Sequence, residues 1–303
     1  PELGENLWRN TDEISGNGID DDKNGYIDDT TGWNFSAEDL NHDGALDEEE
    51  KKGNNDPRPS VLSLVNDEDE VVHHGTLIAG IIGAAGDNGE GGAGINWRVK
   101  LMNIKIVGNS GSGELTRLPE AIRYAVDNGA HVINMSFVGS VDGDVKSAVK
   151  YAYDKGVAVI AAAGNDLVSL NSLKRYPVCA DAGEAEDWVL GVSAISQAHR
   201  IAPFSNTGSD CIDITAPGVQ VSSTLRYAPS HGLRDIYGGP WSGTSFAAPF
   251  VSGAAALLKS MHPEWRAPEI YEALLKTVHK TPPKDEEEYA NLFGAGLIQI
   301  HKA

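Results

Sequence analysis

An α/β fold, with a mainly parallel sheet covered by helices on both faces, is predicted by three observations. Strand-like and helix-like segments alternate after residue 70. Val157–Ala163 is a short, continuous apolar run, as strands buried on both faces are, and His131–Ser136 is a second short segment of buried-strand type around Val132, Ile133 and Met135. The helix-like segments carry apolar residues at three- and four-residue spacing.

The elements follow in chain order. Lys100–Val107 alternates as a strand does. Leu115–Val126 places Leu115, Leu118, Ile122 and Val126 on one helical face, and Asn128-Gly129 stops it. His131–Ser136 is a buried strand. Asp144–Asp154 is helical and ends before Gly156, and the apolar run Val157–Ala163 is the next strand. Trp188–Ala194 and Ile212–Ala216 are strands; Ser245–Met261 and Ala267–Val278 close the chain as helices. Sites in such sheets lie at the C-terminal ends of the strands. Residues 1–70 lack apolar periodicity and read as an acidic, loop-rich segment. Residues 71–303 read as the core, the whole forming one structural domain. Lys284–Glu288 is a solvated charge run that needs no function.

Composition excludes some classes of function. The chain has 303 residues, 41% of them hydrophobic, which is enough for one large core. No run of apolar residues is long enough to span a membrane. The net charge is −20, of which residues 1–70 carry −16 and the rest −4. Acidity so localised points to cations, and the lack of a basic stripe argues against nucleic acid. The chain starts at Pro1 with no signal peptide in view, so a mature form, a fragment or a trimmed form is expected. Cys179 and Cys211 allow one intrachain disulfide, with two buried free thiols as the alternative.

The chemistry-bearing residues come in three segments. In G-T-S-F-A-A-P (Gly243–Pro249) a Ser opens a helix made of small and apolar residues. N–H groups are unpaired there and the helix dipole favours negative charge, so Ser245 can attack a carbonyl and its own N–H can hold the resulting oxyanion. An ordinary N-cap is the other reading. Ser needs a base. His74, in H-G-T-L-I-A-G (His74–Gly80), starts a second small-residue helix. In A-A-A-G-N (Ala161–Asn165) an apolar strand ends in Gly and presents Asn165, a neutral donor suited to a developing negative charge.

The order His, Asn, Ser, with these surroundings, resembles the subtilisin-like serine proteases, the subtilases. The resemblance runs from about residue 1 to about residue 280. It is carried by P-E-L-x-x-N-x-W at Pro1–Trp8, H-G-T-x-x-A-G at His74–Gly80, V-I-N-M-S at Val132–Ser136 and A-A-G-N at Ala162–Asn165. F-S-N-x-G at Phe204–Gly208, A-P-G at Ala216–Gly218 and G-T-S-F-A-A-P at Gly243–Pro249 complete it. It implies a three-layer α/β/α subtilisin-like fold and peptide-bond hydrolysis through an acyl-enzyme. His74 would be the general base and Ser245 the nucleophile, with Asn165 and the Ser245 N–H forming the oxyanion hole. In subtilisin itself, removing the corresponding Asn costs roughly 10²–10³ in kcat.

The family also orients its His with an Asp at the end of the first core strand. That position would precede residue 1, so the fold is expected to lack this strand. Either the sequence is a truncated piece of a longer chain, or a separate N-terminal fragment or pro-region completes the sheet. Losing such an Asp costs about 10⁴ in turnover. His73 stands where the family usually has Gly, and Leu77 where it often has His. Ser136, Phe137 and Val138 would line the pocket for the side chain before the cut bond. Val138 replaces a frequent Gly there, which predicts a preference for small or slender side chains. Gly111, Ser112 and Gly113 would form the edge on which a polypeptide substrate pairs.

The acidic segment fits calcium. Asp39-Leu40-Asn41-His42-Asp43-Gly44-Ala45-Leu46-Asp47-Glu48-Glu49-Glu50 matches the twelve-residue calcium loop. Asp39, Asn41, Asp43, the Ala45 carbonyl, Asp47 and Glu50 would be the ligands. Asp20, Asp22, Asn24, Tyr26 (by its carbonyl) and Asp28 repeat the first nine positions. The twelfth is Thr31, so a further ligand must come from elsewhere, with Asp29 a candidate. Asp87-Asn88-Gly89-Glu90 aligns with a third, weaker family loop. These are expected to be structural Ca²⁺ clips in a calcium-binding insertion. With the possible disulfide and the family, they lead to the expectation of a secreted protein. Two rival readings fit the same residues: a peptide-binding pseudoprotease, and an esterase or acyltransferase running on the Ser–His pair.

Overall fold

The computed structural model describes residues 2–37, 47–48, 50–60, 70–108, 115–140, 144–280 and 292–303. Its centre is a four-stranded parallel sheet in the order β3 (Val132–Met135), β4 (Ala158–Ala162), β5 (Val189–Ile195) and β6 (Ile214–Pro217). The registers pair Val132 with Ala158, Val159 with Val189, and Val192 with Ile214. Every residue of β4 and β5 is buried, which explains why β4 reads as an unbroken apolar run; in β5 the run is interrupted by Ser193, whose hydroxyl donates to Thr215 Oγ1 at 3.1 Å.

Helices cover both faces. On one, α4 (Thr244–Met261) and α5 (Ala267–Lys276) pack Val251, Leu258, Ile270 and Leu274 against Ile160, Leu190 and Ile214. On the other, α2 (Leu118–Asp127) and α3 (Asp144–Asp154) bury Ile122, Val145 and Val149 beside Val159 and Val189. The predicted helix at 115–126 opens with a 3₁₀ turn, Leu115–Arg117, and Pro119 then sits in the first turn of α2. Gly129 ends it at φ +81°, a conformation that Gly adopts without strain. The Cys179–Cys211 disulfide forms within the second cluster.

A second parallel pair lies beside this sheet: β1 (Gly32–Asn34) with β2 (Asn103–Lys105). β1 is a strand inside the segment that the sequence presents as loops. Gly32 is obligatory in it, at φ +123°, because a Cβ would lie 1.8 Å from the Asn103 carbonyl oxygen. Among the described residues, β2 and β3 share no ladder. A cavity of about 1940 Å³ opens between residues 101–108 and residues 131–137. His74 and Ser245 line the same cavity.

Helix α1 (Glu70–Gly83) is tied to a hairpin of β7 (Val221–Thr224) and β8 (Tyr237–Trp241). The hydroxyls of Ser223 and Thr224 donate to the carbonyls of Leu77 and Thr76 at 2.6 and 2.8 Å. A Cβ at Gly80 would fall 2.3 Å from Thr224 Oγ1, so the small residue in H-G-T-L-I-A-G makes this approach possible.

Candidate active site

Ser245 sits in the first turn of α4, after Gly243 in extended conformation and Thr244 at the helix start. The Gly243 N–H donates to the Gly218 carbonyl at 2.8 Å, which joins the A-P-G segment to this turn. Pro249, inside the helix, has no N–H to give the carbonyl four residues back, that of Ser245. That carbonyl accepts instead from the Ser136 hydroxyl at 2.8 Å. The Ser245 hydroxyl in turn donates to the Ser136 carbonyl at 2.9 Å. Asn134 Nδ2 donates to Ser136 Oγ at 3.0 Å, and the Ser252 hydroxyl donates to Asn134 Oδ1 at 2.8 Å. The turn carrying Ser245 is thereby fastened to β3 from both sides.

Asn165 follows the C-terminal end of β4, close to the same turn. Its Oδ1 accepts from the Thr244 N–H at 2.8 Å and from the Thr244 hydroxyl at 3.0 Å. With Oδ1 so engaged, Nδ2 is the group left to donate, and it lies 3.3 Å from where a Cβ on Gly243 would be. Thr244 is fully buried, and its Oγ1 also accepts from the Gly164 N–H at 2.9 Å. Thr244 carries no signal of its own in the sequence, because Thr in a helix's first turn is unremarkable until its partners are known.

His74 lies in the first half of α1. Its ring meets Phe246 edge-on at 6.1 Å between centroids, and Phe246 stacks on Trp241 at 6.3 Å. No hydrogen bond joins the His74 ring to a described residue. Desolvation by burial holds its pKa below the ordinary imidazole value. Ser136 and Phe137 flank the site, and Val138 follows them. Val138 Cγ2 lies 2.9 Å from where a Cβ on Gly164 would be, so it fills the space above that glycine. The segment is held by paired bonds between Gly139 and Tyr176, at 2.8 and 2.9 Å. Gly111, Ser112 and Gly113 lie outside the described residues.

The acidic segment forms a distinct cluster. Glu13, Asp22 and Asp29 bring carboxylate oxygens within 4.8 Å of one another. Asp29 is fully buried; it accepts from Asn10 Nδ2 at 2.9 Å, Asn24 Nδ2 at 3.0 Å and the Tyr124 hydroxyl at 2.5 Å. Glu13, absent from the sequence-based ligand set, accepts from the N–H groups of Asp21, Asp22 and Asp28. Asp28 turns elsewhere and accepts from the N–H groups of Gly16, Asn17 and Gly18. Asp20 accepts from those of Asn24 and Gly25, Asn24 Oδ1 accepts from the Tyr26 N–H, and the Tyr26 hydroxyl donates to Glu120. In the other loop, Asp39, Asn41, Asp43 and Ala45 lie outside the described residues. Asp47 accepts from the Glu50 N–H at 2.9 Å, and Glu50 accepts from the Asp47 N–H at 3.0 Å.

Comparison with known proteins agrees with this architecture. Residues 20–296 match the subtilase family. Subtilisin DY of Bacillus licheniformis is 37% identical over 233 residues, covering 76% of this chain and 77% of that protein. Subtilisin Savinase of Lederbergia lenta is 35% identical, covering 76% and 77%. A thermophilic serine proteinase of Bacillus sp. is 39% identical, but the match spans 62% of this chain and only 43% of that longer protein. Among solved structures, one described as proteases from Pseudoalteromonas arctica PAMC 21717 superposes with a TM-score of 0.69 at 27% identity. It covers 89% of this chain and 81% of its own. With the parallel sheet, its helical layers and the meeting of Asn165 with the Ser245 turn, these matches show that the chain belongs to the subtilase family of serine endopeptidases.

Proposed function

We propose that this subtilase cleaves polypeptides through an acyl-enzyme on Ser245. His74 takes the proton of Ser245 Oγ as that oxygen attacks the scissile carbonyl, then delivers it to the leaving amine. Asn165 Nδ2 and the Ser245 N–H hold the oxyanion. A first-turn N–H has no intrahelical partner, and a fixed neutral amide aimed at developing charge costs no reorganisation. The observation that carries this reading is the pair of bonds from Thr244 to Asn165 Oδ1, which leaves Nδ2 as the donor beside the nucleophile's turn.

The carboxylate that orients His74 comes, in this proposal, from an Asp on a strand lying between β2 and β3, carried by a longer form of the chain or by an N-terminal fragment. The open cavity there, with His74 on its wall, supports the assignment. Unpaired strand groups facing it would cost roughly 1–3 kcal/mol each if buried dry. Val138 above Gly164 supports a preference for small or slender side chains before the cut bond.

Structural Ca²⁺ is proposed at the acidic segment. Three carboxylates with two of them buried repel one another unless a cation or protons intervene, and an all-oxygen set suits a hard cation. Glu13, Asp22 and Asp29 would hold it and join the 10–29 loop to Tyr124 of α2. Export from the cell is proposed from the disulfide, which persists in oxidising compartments. Recovery of the protein from the culture medium tests it. No helix among the described residues is long and apolar enough to cross a membrane.

Fluorophosphonate labelling tests the catalytic reading. The active protein is expected to lose a labelled peptide containing Ser245 on Ser245→Ala substitution. Peptide cleavage that survives Ser245→Ala would overturn it.

A further inference from the structure

We infer that Asn206 is a positioning residue for the reaction, acting through Asn165; the inference rests on the oxyanion role proposed for Asn165. Asn206 stands in F-S-N-x-G, a segment to which no role is attached by the mechanism, and its side chain is fully buried. It holds the chain on both sides of Asn165. Its own N–H donates to the Gly164 carbonyl at 3.0 Å, in the peptide group that precedes Asn165. Its Oδ1 accepts from the Asp166 N–H at 3.0 Å, in the peptide group that follows. The same Oδ1 accepts from the Val168 N–H at 3.0 Å, and Nδ2 donates to the Ala163 carbonyl at 2.9 Å.

One residue therefore fixes the two peptide planes that flank the Cα of Asn165, while Thr244 fixes the far end of its side chain. The grip is close. Gly164 has φ +96°, and a Cβ there would lie 2.5 Å from Asn206 Nδ2. Without the Asn206 side chain, the Asp166 and Val168 amides lose their acceptor and the turn is free to tilt. An oxyanion donor contributes where charge develops, in the transition state, so a misplaced Asn165 lowers kcat and leaves KM nearly unchanged. A residue that merely holds the fold would lower the amount of active protein, or act whether or not Asn165 is present.

The test is a double-mutant cycle in the whole protein, with active enzyme counted by fluorophosphonate titration and kcat and KM measured on a peptide substrate. Asn206→Ala is expected to lower kcat per titrated site by roughly tenfold or more, with KM within about twofold. In an Asn165→Ala background the same substitution is expected to cost less than about twofold. If Asn206→Ala does not fold, Asn206→Ser is read in the same two backgrounds with the same expectations; it keeps a small buried polar group but is too short to hold the Asp166 and Val168 amides as Oδ1 does. Equal losses in both backgrounds, unchanged kcat per site, or a change confined to KM would overturn the inference. If Asn165→Ala itself leaves kcat intact, the oxyanion assignment fails instead, so the two failures are told apart by that single variant.

Discussion

Ser245 and Ser136 are joined by a reciprocal pair of hydrogen bonds, each hydroxyl donating to the other's main-chain carbonyl at 2.9 and 2.8 Å. Pro249 leaves the Ser245 carbonyl without a helical donor, which opens it to the Ser136 hydroxyl. The same relationship keeps the Ser245 hydroxyl directed at β3, so attack on a substrate requires it to turn toward His74.

Ser136→Ala is therefore expected to destabilise the protein. It removes the donor to a part-buried carbonyl and the acceptor for Asn134 Nδ2, at a cost of about 1–3 kcal/mol. Thermal melting at fixed pH measures it. An unchanged melting temperature would mean that water replaces both bonds.

His74 should titrate below the ordinary imidazole range while none of the described carboxylates faces it, because burial penalises the charged ring. The neutral, base-competent form then persists to a lower pH than for a free imidazole. Adding the sheet-completing Asp should raise the pKa, since an opposite charge favours the imidazolium. The pH profile of Ser245 labelling, with and without that segment, reads both directions. An acid limb that moves down when the segment is added would contradict the assignment.

Much of the fold is legible in the chain, and the exceptions have physical causes. β4 and β5 announce themselves because both of their faces are buried. The β7–β8 hairpin does not: Val-Ser-Ser-Thr and Tyr-Gly-Gly-Pro-Trp carry no clear alternation, and its hydroxyls serve α1. β1 hides among acidic loops because Gly-Trp-Asn is too short to show a period. At the site, Ser245, His74 and Asn165 are conspicuous by motif. Thr244 and Glu13 act through bonds to main chain or amide groups that only the folded chain brings near.

Val138→Gly should widen the pocket above Gly164. The ratio of kcat/KM for a substrate with Phe before the cut bond over one with Ala is expected to rise by roughly 10-fold or more. Matched peptide substrates measure this ratio. A ratio that stays flat would place the limiting contact elsewhere.

Chelation with EGTA is expected to lower the melting temperature, and Glu13→Gln with Asp29→Asn should remove most of that sensitivity. Melting curves of both proteins with and without EGTA provide the check. Equal shifts in the two would move the cation away from the Glu13–Asp22–Asp29 cluster.

Removing the Cys179–Cys211 disulfide by paired Ala substitution should cost about 3–4 kcal/mol from the loop it closes, which has a sequence separation of 32. Urea unfolding of the two proteins gives the difference. A cost near zero would mean that the unfolded chain is already compact over this loop.

The central claim is that Ser245, His74 and Asn165 form a working site once a carboxylate reaches His74. Intact-mass analysis of the chain after fluorophosphonate treatment, with and without an added strand peptide bearing Asp, tests it most directly. One label on Ser245, acquired faster when the peptide is present and lost in His74→Ala, is the predicted result. No label on Ser245 under either condition would contradict the account.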